Sequence, residues 1–437
     1  MIGAEDIKRK YDLKGTPTLG LIAATFGFFV GFASVATYGP AAAAFKKAME
    51  LSGIFLGLLV AAPQLTGSLL RIPFGAWADK VGGKKPMLTL LILACIGMAG
   101  LATILYIYYP DKLTIKLYPI IFILGLLSGC GVATYSVGVP QTSYWFPKNK
   151  QGWALGIYAG LGNTAAGWFT FLLPTAIAAW GLTTAYSIWF AFLLIGTAVY
   201  AWIAYDAYYF QLINWGIPRD EAERVAKALG QELIPSGSLI KALKVSAKIP
   251  STWALVILYF TSFGGFLALT TWFPAYWGLF YDLNPKTAGM LTAVAFSLLA
   301  SFIRVYGGHA SDKNGGEKVA IVSFTLVFIG AVVLIFSRSF FLSLIGSILI
   351  GAGMGMGNAA VFKLIAKYVP GAVGSAGGWV GGLGAFGGFV IPPILGTFVD
   401  MFGKVGYAYG FIIYAVLAIV CIGISFLLKS RYGHQLH

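Results

Sequence analysis

The sequence predicts an all-α membrane protein, with twelve transmembrane helices in two pseudo-symmetric six-helix halves. Three observations point there. The chain is 58% hydrophobic and only 10% charged over 437 residues, and its apolar runs are long enough to cross a hydrocarbon core about 30 Å thick. Those runs fall six to either side of one charged stretch, residues 208–250. A segment rich in glycine and charge also occurs twice, 233 residues apart.

Taken in order, the expected spans are 18–44, 51–78, 86–108, 117–145, 152–178 and 184–207, then 251–279, 286–311, 317–337, 340–366, 371–399 and 405–428. The organisation is therefore a tail (1–17), a six-helix half (18–207), a linker (208–250), a second six-helix half (251–428) and a tail (429–437). The high glycine content, 57 residues, suits helices that pack closely in lipid. Cys95, Cys130 and Cys421 lie in apolar runs without metal-type spacing, and read as small buried hydrophobes.

The net charge is +15. In a soluble protein this would suggest a nucleic-acid partner; here the cations sit between apolar runs, so membrane topology explains them and no nucleic acid is expected. The tails and even-numbered loops carry 21 Lys and Arg, the other loops seven. Both tails are thus expected in the cytoplasm. Residues 1–17 are polar, with Lys8, Arg9, Lys10 and Lys14, and do not read as a signal peptide. In the linker, Arg219–Leu229 reads as a solvated helix with a Glu223–Lys227 pair, and 238–248 as a basic, partly apolar stretch of the kind that lies on the membrane face, with a solvated linker the favoured reading of both.

Two cations remain, Arg71 and Arg304. Each stands inside an apolar run, eight residues before its closing aspartate, Asp79 or Asp312. Eight residues span roughly 12 Å of helix, which approaches the bilayer midplane. An arginine there is costly and cannot shed its charge. One such arginine in each half suggests an anion site on a pseudo-two-fold axis.

The repeat continues through Gly75, Asp79, Lys80 and Gly82 in the first copy and through Asp312 and Lys313 in the second. Glycines permit a tight turn after the span. The aspartates can cap a neighbouring helix or pair with a cation, and so latch one conformation. Glycine is also dense in spans 4–5 and 10–11, where Gly160, Gly162, Gly355, Gly357, Gly381 and Gly384 are expected to let helices touch backbone to backbone.

Gly-x-x-x-Asp-Lys-x-Gly-Gly-Lys after span 2 resembles the loop 2–3 signature of the major facilitator superfamily. Gly355-Met-Gly-Asn358-Ala-Ala-Val-Phe-Lys363 closely resembles the nitrate signature of the nitrate/nitrite porter family within it. Phe146-Pro-Lys-x-x-x-Gly-x-Ala-Leu-Gly, followed by Ala159-Gly-Leu-Gly-Asn163, looks like the signature of the first half. The resemblance implies the major facilitator fold, with the anion gripped by Arg71 and Arg304. It adds Asn163 of span 5, the aromatic Tyr135 of span 4, and Tyr259 and Phe263 of span 7. Ala165 stands where glycine is usual, and the repeat partner of Asn163 is Ala385.

Nitrate is flat and singly charged, and two guanidinium forks can hydrogen-bond its oxygens in plane. Aromatic faces would select a flat ion. Exchange of nitrate for nitrite is the expected activity, with proton symport, or antiport of another small anion such as formate or oxalate, as alternatives. Two facing arginines repel one another when empty, which favours loaded over empty carriers. His309 is the one histidine candidate for proton coupling; a surface or structural role is favoured. A channel or sensor fits less well, and no enzyme constellation or cofactor motif is visible. The expected partners are nitrate, nitrite and the lipid bilayer, with no cofactor, no metal, and a monomeric chain in the cytoplasmic membrane.

Overall fold

The computed structural model describes residues 4–233, 239–369 and 373–432. The outer ends of both expected tails, linker residues 234–238 and the start of the eleventh expected span lie outside the described residues. Long helices dominate: α1 (Pro17–Met49), α2 (Gly53–Val81), α3 (Lys84–Tyr108), α4 (Ile115–Trp145), α5 (Lys148–Trp180) and α6 (Leu182–Ile203). After the linker come α7 (Pro250–Phe280), α8 (Pro285–Asn314), α9 (Gly316–Phe336), α10 (Phe340–Tyr368), α11 (Ser375–Tyr409) and α12 (Ile412–Ser430). Eleven of these are long and apolar enough to cross a membrane. The remaining one, α5, has 33 residues, roughly 50 Å of helix.

Several helices are not straight. A 3₁₀ turn at Ala33–Ala36 breaks α1, and another at Cys130–Ala133 breaks α4. Helix α7 loosens into π turns at Phe260–Gly264 and Tyr276–Phe280, and α8 does so at Ala293–Leu298. The linker is more ordered and less solvated than its charge suggests. Its helix Arg219–Ala228 buries Ala222, Val225 and Ala226, and Tyr11 donates to Glu221 at 2.7 Å. The expected Glu223–Lys227 pair forms at 2.7 Å. The helix Leu239–Ala247 is tied to α11, since Trp379 Nε1 donates to the Leu243 carbonyl at 3.1 Å.

The halves meet along two seams that are shut at one end of the bundle. At the end away from the termini, a Cβ on Gly396 of α11 would lie 2.0 Å from the Gly53 carbonyl of α2, and one on Gly57 would lie 2.4 Å from the Pro392 carbonyl. Only glycine allows that backbone contact. Asp400 of α11 closes it further, accepting from the backbone N–H of Gly53 at 2.5 Å and of Ile54 at 2.8 Å. These are orphan donors at the start of α2, so the carboxylate of one half caps a helix of the other. Likewise Gly289 of α8 sits against Thr170 and Pro174 of α5. Toward the termini the seams part. Gly152, Gly156 and Gly160 on α5 and Gly377 on α11 face open space, and Gly75 on α2 meets only Ser136 of its own half.

Candidate functional site

Arg71 lies at the middle of the α2–α11 seam and is 3% exposed. Its Nε donates to the Gly67 carbonyl one turn back at 3.1 Å. Its Nη1 donates across the seam to the Gly381 carbonyl at 3.1 Å. Its Nη2 is buried without a partner among the described residues. The guanidinium is 5.1 Å from the ring centre of Tyr135 and 5.1 Å from that of Phe263. Arg304, half-buried on α8, places its guanidinium 6.0 Å from the same Phe263 ring. One aromatic ring therefore serves both cations, and each such contact contributes about 0.5–2 kcal/mol.

The local sequence explains how Phe263 reaches that position. The π turn at Phe260–Gly264 shifts the register of α7 by a residue. Gly264 then approaches α11 so closely that a Cβ would lie 2.5 Å from the Gly384 carbonyl. A Cβ on Gly384 would in turn lie 2.7 Å from the Tyr259 ring. These two glycines let α7 lie on α11 with Tyr259 and Phe263 stacked at 5.0 Å and 12°. The phenol groups of Tyr259 and Tyr135 lie within electrostatic reach of both arginines.

Both amide atoms of Asn163 are buried without hydrogen-bond partners among the described residues, and the buried Tyr259 hydroxyl interacts with Arg304. Asn163 is 3% exposed on α5. It follows Gly162, which rests on the Phe28 ring, and precedes by one turn Gly167, which rests on Leu298 of α8. The Phe28 ring in turn packs 5.3 Å from Tyr135. In a low-dielectric interior such unpaired groups are costly, about 1–3 kcal/mol each. Donors of this kind, the Tyr259 hydroxyl and the Asn163 amide N–H, together with two positive charges are chemistry suited to a small anion.

Other expectations are modified by the structure. Among the described residues Asp79 meets no cation; it accepts from the Tyr144 hydroxyl of α4 at 2.8 Å. The turn after α2 is held instead by Asp206, which accepts from the Lys84 N–H at 2.8 Å. Gly82 has φ +93° and would carry any Cβ to 2.5 Å from that carboxyl, so the turn needs glycine. Burial raises the Asp206 pKa, opposed by the N–H groups of Lys84 and Gly83. In the second copy Asp312 pairs with Lys363 of α10 at 2.5 Å, inside one half. Among the described residues neither Lys80 nor Lys313 forms an ion pair, and the aspartates bind within their own halves, so the two halves are not latched to each other by these groups.

Of the six expected packing glycines, four are in tight contact. Gly162 meets Phe28, Gly384 meets Tyr259, Gly355 meets the Ala300 carbonyl and Gly357 meets Ser323. Gly160 and Gly381 do not pack; a Cβ there would meet nothing within 4 Å. Gly160 lies where the seam parts, whereas Gly381 contributes its carbonyl to Arg71 across the α2–α11 seam instead. His309 is exposed near Asp312 rather than at the site. The three cysteines are buried and free. Sequence reasoning missed Phe28 and Tyr158, whose rings line Tyr135 at 5.3 and 6.1 Å, because an aromatic in an apolar span carries no positional signal. It also missed the buried Glu317, which accepts from Lys367 and Tyr368 at the end bearing the termini.

A two-half helical bundle of membrane-spanning helices, with a pair of arginines sharing one aromatic ring, defines a multi-pass membrane protein. The Major Facilitator Superfamily model matches residues 24–294 and 277–435. A probable nitrate/nitrite antiporter of Thermus thermophilus is 30% identical over 85% of this chain and 82% of its own length. A probable nitrate transporter of Staphylococcus aureus is 30% identical over 94% and 96%, and the nitrite extrusion protein of Bacillus subtilis 29% identical over 85% and 84%. The fold is shared with a solved structure of the Escherichia coli xylose transporter, at TM-score 0.71 and 14% identity over 94% of this chain and 99% of that one. The chain belongs to the major facilitator superfamily and, within it, to the nitrate/nitrite porter family.

Proposed function

We propose that this protein exchanges nitrate and nitrite across the cytoplasmic membrane by alternating access. The observation that carries the reading is the pair of guanidinium groups over one Phe263 ring, 5.1 and 6.0 Å from its centre, with Arg71 Nη2 unspent. Arg71 and Arg304 hold the anion's oxygens, Asn163 and Tyr259 complete the donors, and Tyr135 and Phe263 confine it to a slot that suits a flat ion. The names of the related proteins support nitrate and nitrite as the ions. The distribution of cations supports cytoplasmic termini, so the sealed end faces outward and the parted seams face the cytoplasm. We take the chain to act as a monomer and as a carrier, not an enzyme.

Exchange rather than proton symport follows from the electrostatics. Two unit charges about 8–11 Å apart at an effective dielectric of about 20 repel by roughly 1.5–2 kcal/mol. An anion between them removes that repulsion, so the loaded carrier closes more readily than the empty one. His309, the histidine considered for coupling, is exposed and away from the arginines. The test is labelled nitrate uptake into liposomes carrying the purified protein. One set holds nitrite inside without a pH gradient; the other holds no permeant anion but has an inward proton gradient. Uptake in the first set alone is expected. Uptake driven only by protons would overturn the exchange reading.

A further inference from the structure

Gln64 is a fully enclosed polar side chain that the anion site does not use. It is 0% exposed, and neither its amide nitrogen nor its amide oxygen has a hydrogen-bond partner among the described residues. It stands on α2 seven residues before Arg71, and the backbone bonds Leu70 N to Thr66 O and Phe74 N to Leu70 O keep that helix continuous between them. Seven residues return to the same helix face, about 10 Å nearer the sealed end. Across the seam lies Gly388 of α11, where a Cβ would be 3.2 Å from Gln64 Cβ and 2.9 Å from Leu267 Cβ of α7. Gly388 is itself seven residues beyond Gly381, whose carbonyl binds Arg71. The antiparallel α2 and α11 thus form a ladder: Arg71 with Gly381, Gln64 with Gly388, then Gly57 with Pro392 and Gly53 with Gly396.

The ladder is what seals the far end, so admitting an anion from that side must part it along this line. When it parts, the next side chain below Gly53, Gly57 and Val60 on that stripe is Gln64. A leucine of similar size would fill the closed seam without the cost of an unpaired amide. We propose that Gln64 is a second, weaker anion contact on the outer approach, an inference that rests on the exchange reading above. Its carboxamide N–H donates to nitrate or nitrite entering through the parted α2–α11 seam and passes the ion to Arg71 one step deeper. A neutral donor holds the ion less firmly than two guanidinium groups, so the ion moves inward. In the closed state the amide is shielded, and it plays no part in binding from the end bearing the termini.

The experiment compares half-saturation for labelled nitrate, exchanged against nitrite, in right-side-out and inside-out membrane vesicles. The proteins are wild type, Gln64→Leu and Gln64→Glu. Loss of one hydrogen bond to a charged ligand is expected to raise the outer half-saturation of Gln64→Leu about tenfold, with the inner value within about twofold. Gln64→Glu places a negative charge on the approach and is expected to impair the outer face further. Because leucine also favours the closed outer seam, Gln64→Asn, which keeps an amide donor, is the control: it is expected to restore most of the outer affinity, and an outer half-saturation as poor as that of Gln64→Leu overturns the proposal. Equal change at both faces, or no change at either, overturns the proposal. Retained exchange from the inner face shows that the variants are folded; if Gln64→Leu does not reach the membrane, Gln64→Met carries the same comparison. Failure of the wild-type protein to exchange nitrate for nitrite at all would instead sink the exchange reading, and this inference with it.

Discussion

Replacing Arg71 by lysine tests whether the fork matters, or only the charge. The variant keeps one positive charge at a residue only 3% exposed in the wild type. It loses the planar group that bonds the Gly67 and Gly381 carbonyls and leaves Nη2 free. A lysine ammonium can reach one of these partners but cannot hold both carbonyls and present an in-plane donor to the anion. Losing one charge-assisted hydrogen bond costs about 1.5–3 kcal/mol, and weaker stacking on Tyr135 and Phe263 about 0.5–1 kcal/mol more. The total of about 2–4 kcal/mol corresponds to a loss of nitrate affinity of roughly thirtyfold to several hundredfold. The assay is half-saturation in nitrate/nitrite counterflow with purified protein, with thermal unfolding in detergent as the control for folding. A variant within about threefold of wild type would refute the claim that planar, bidentate geometry selects the ion.

Tyr259→Phe removes a buried hydroxyl that interacts with Arg304; nitrate affinity should fall roughly tenfold or more in the same counterflow assay, and unchanged half-saturation would show that the hydroxyl does not touch the anion. Gly384→Ala should lose affinity because the new methyl would sit 2.7 Å from the Tyr259 ring; unchanged half-saturation would show that Tyr259 can give way. Gly160→Ala, by contrast, meets nothing within 4 Å; its thermal stability should match wild type, and slower exchange is expected only because the parted seam must close on that face. Asp400→Asn weakens the cap that one half places on the start of α2. A loss of about 1 kcal/mol should raise the fraction open on the outer face, read as faster labelling of the buried reporter Val60→Cys; unchanged labelling would argue that Asp400 does not hold the seam.

The site was partly legible in the sequence, and particular residues show why. Arg71 and Arg304 stood out because lipid makes a buried cation costly, so a charge inside an apolar run is conspicuous. Tyr135, Tyr259 and Phe263 did not stand out on those grounds; aromatics are common in such spans, and a resemblance to a family supplied them. Gly381 and Gly384 look alike in the sequence, yet one offers a carbonyl to Arg71 beside open space and the other lies against Tyr259. Asp79 and Asp206 were both visible, but which of them holds the turn after α2 depended on how α3, α4 and α6 meet.

The sequence by itself determined the solvent, the number of spans, the two-half repeat and the two charges at its centre. Hydrocarbon imposes those constraints on length and composition one segment at a time, so they can be read locally. The tertiary structure decided which end of the seams is shut, that one phenyl ring lies under both guanidinium groups, and that Gln64 is walled in without a partner. These depend on distances between helices far apart in the chain. A glycine or a π turn makes a close approach possible, and only the packed bundle decides what takes up the space.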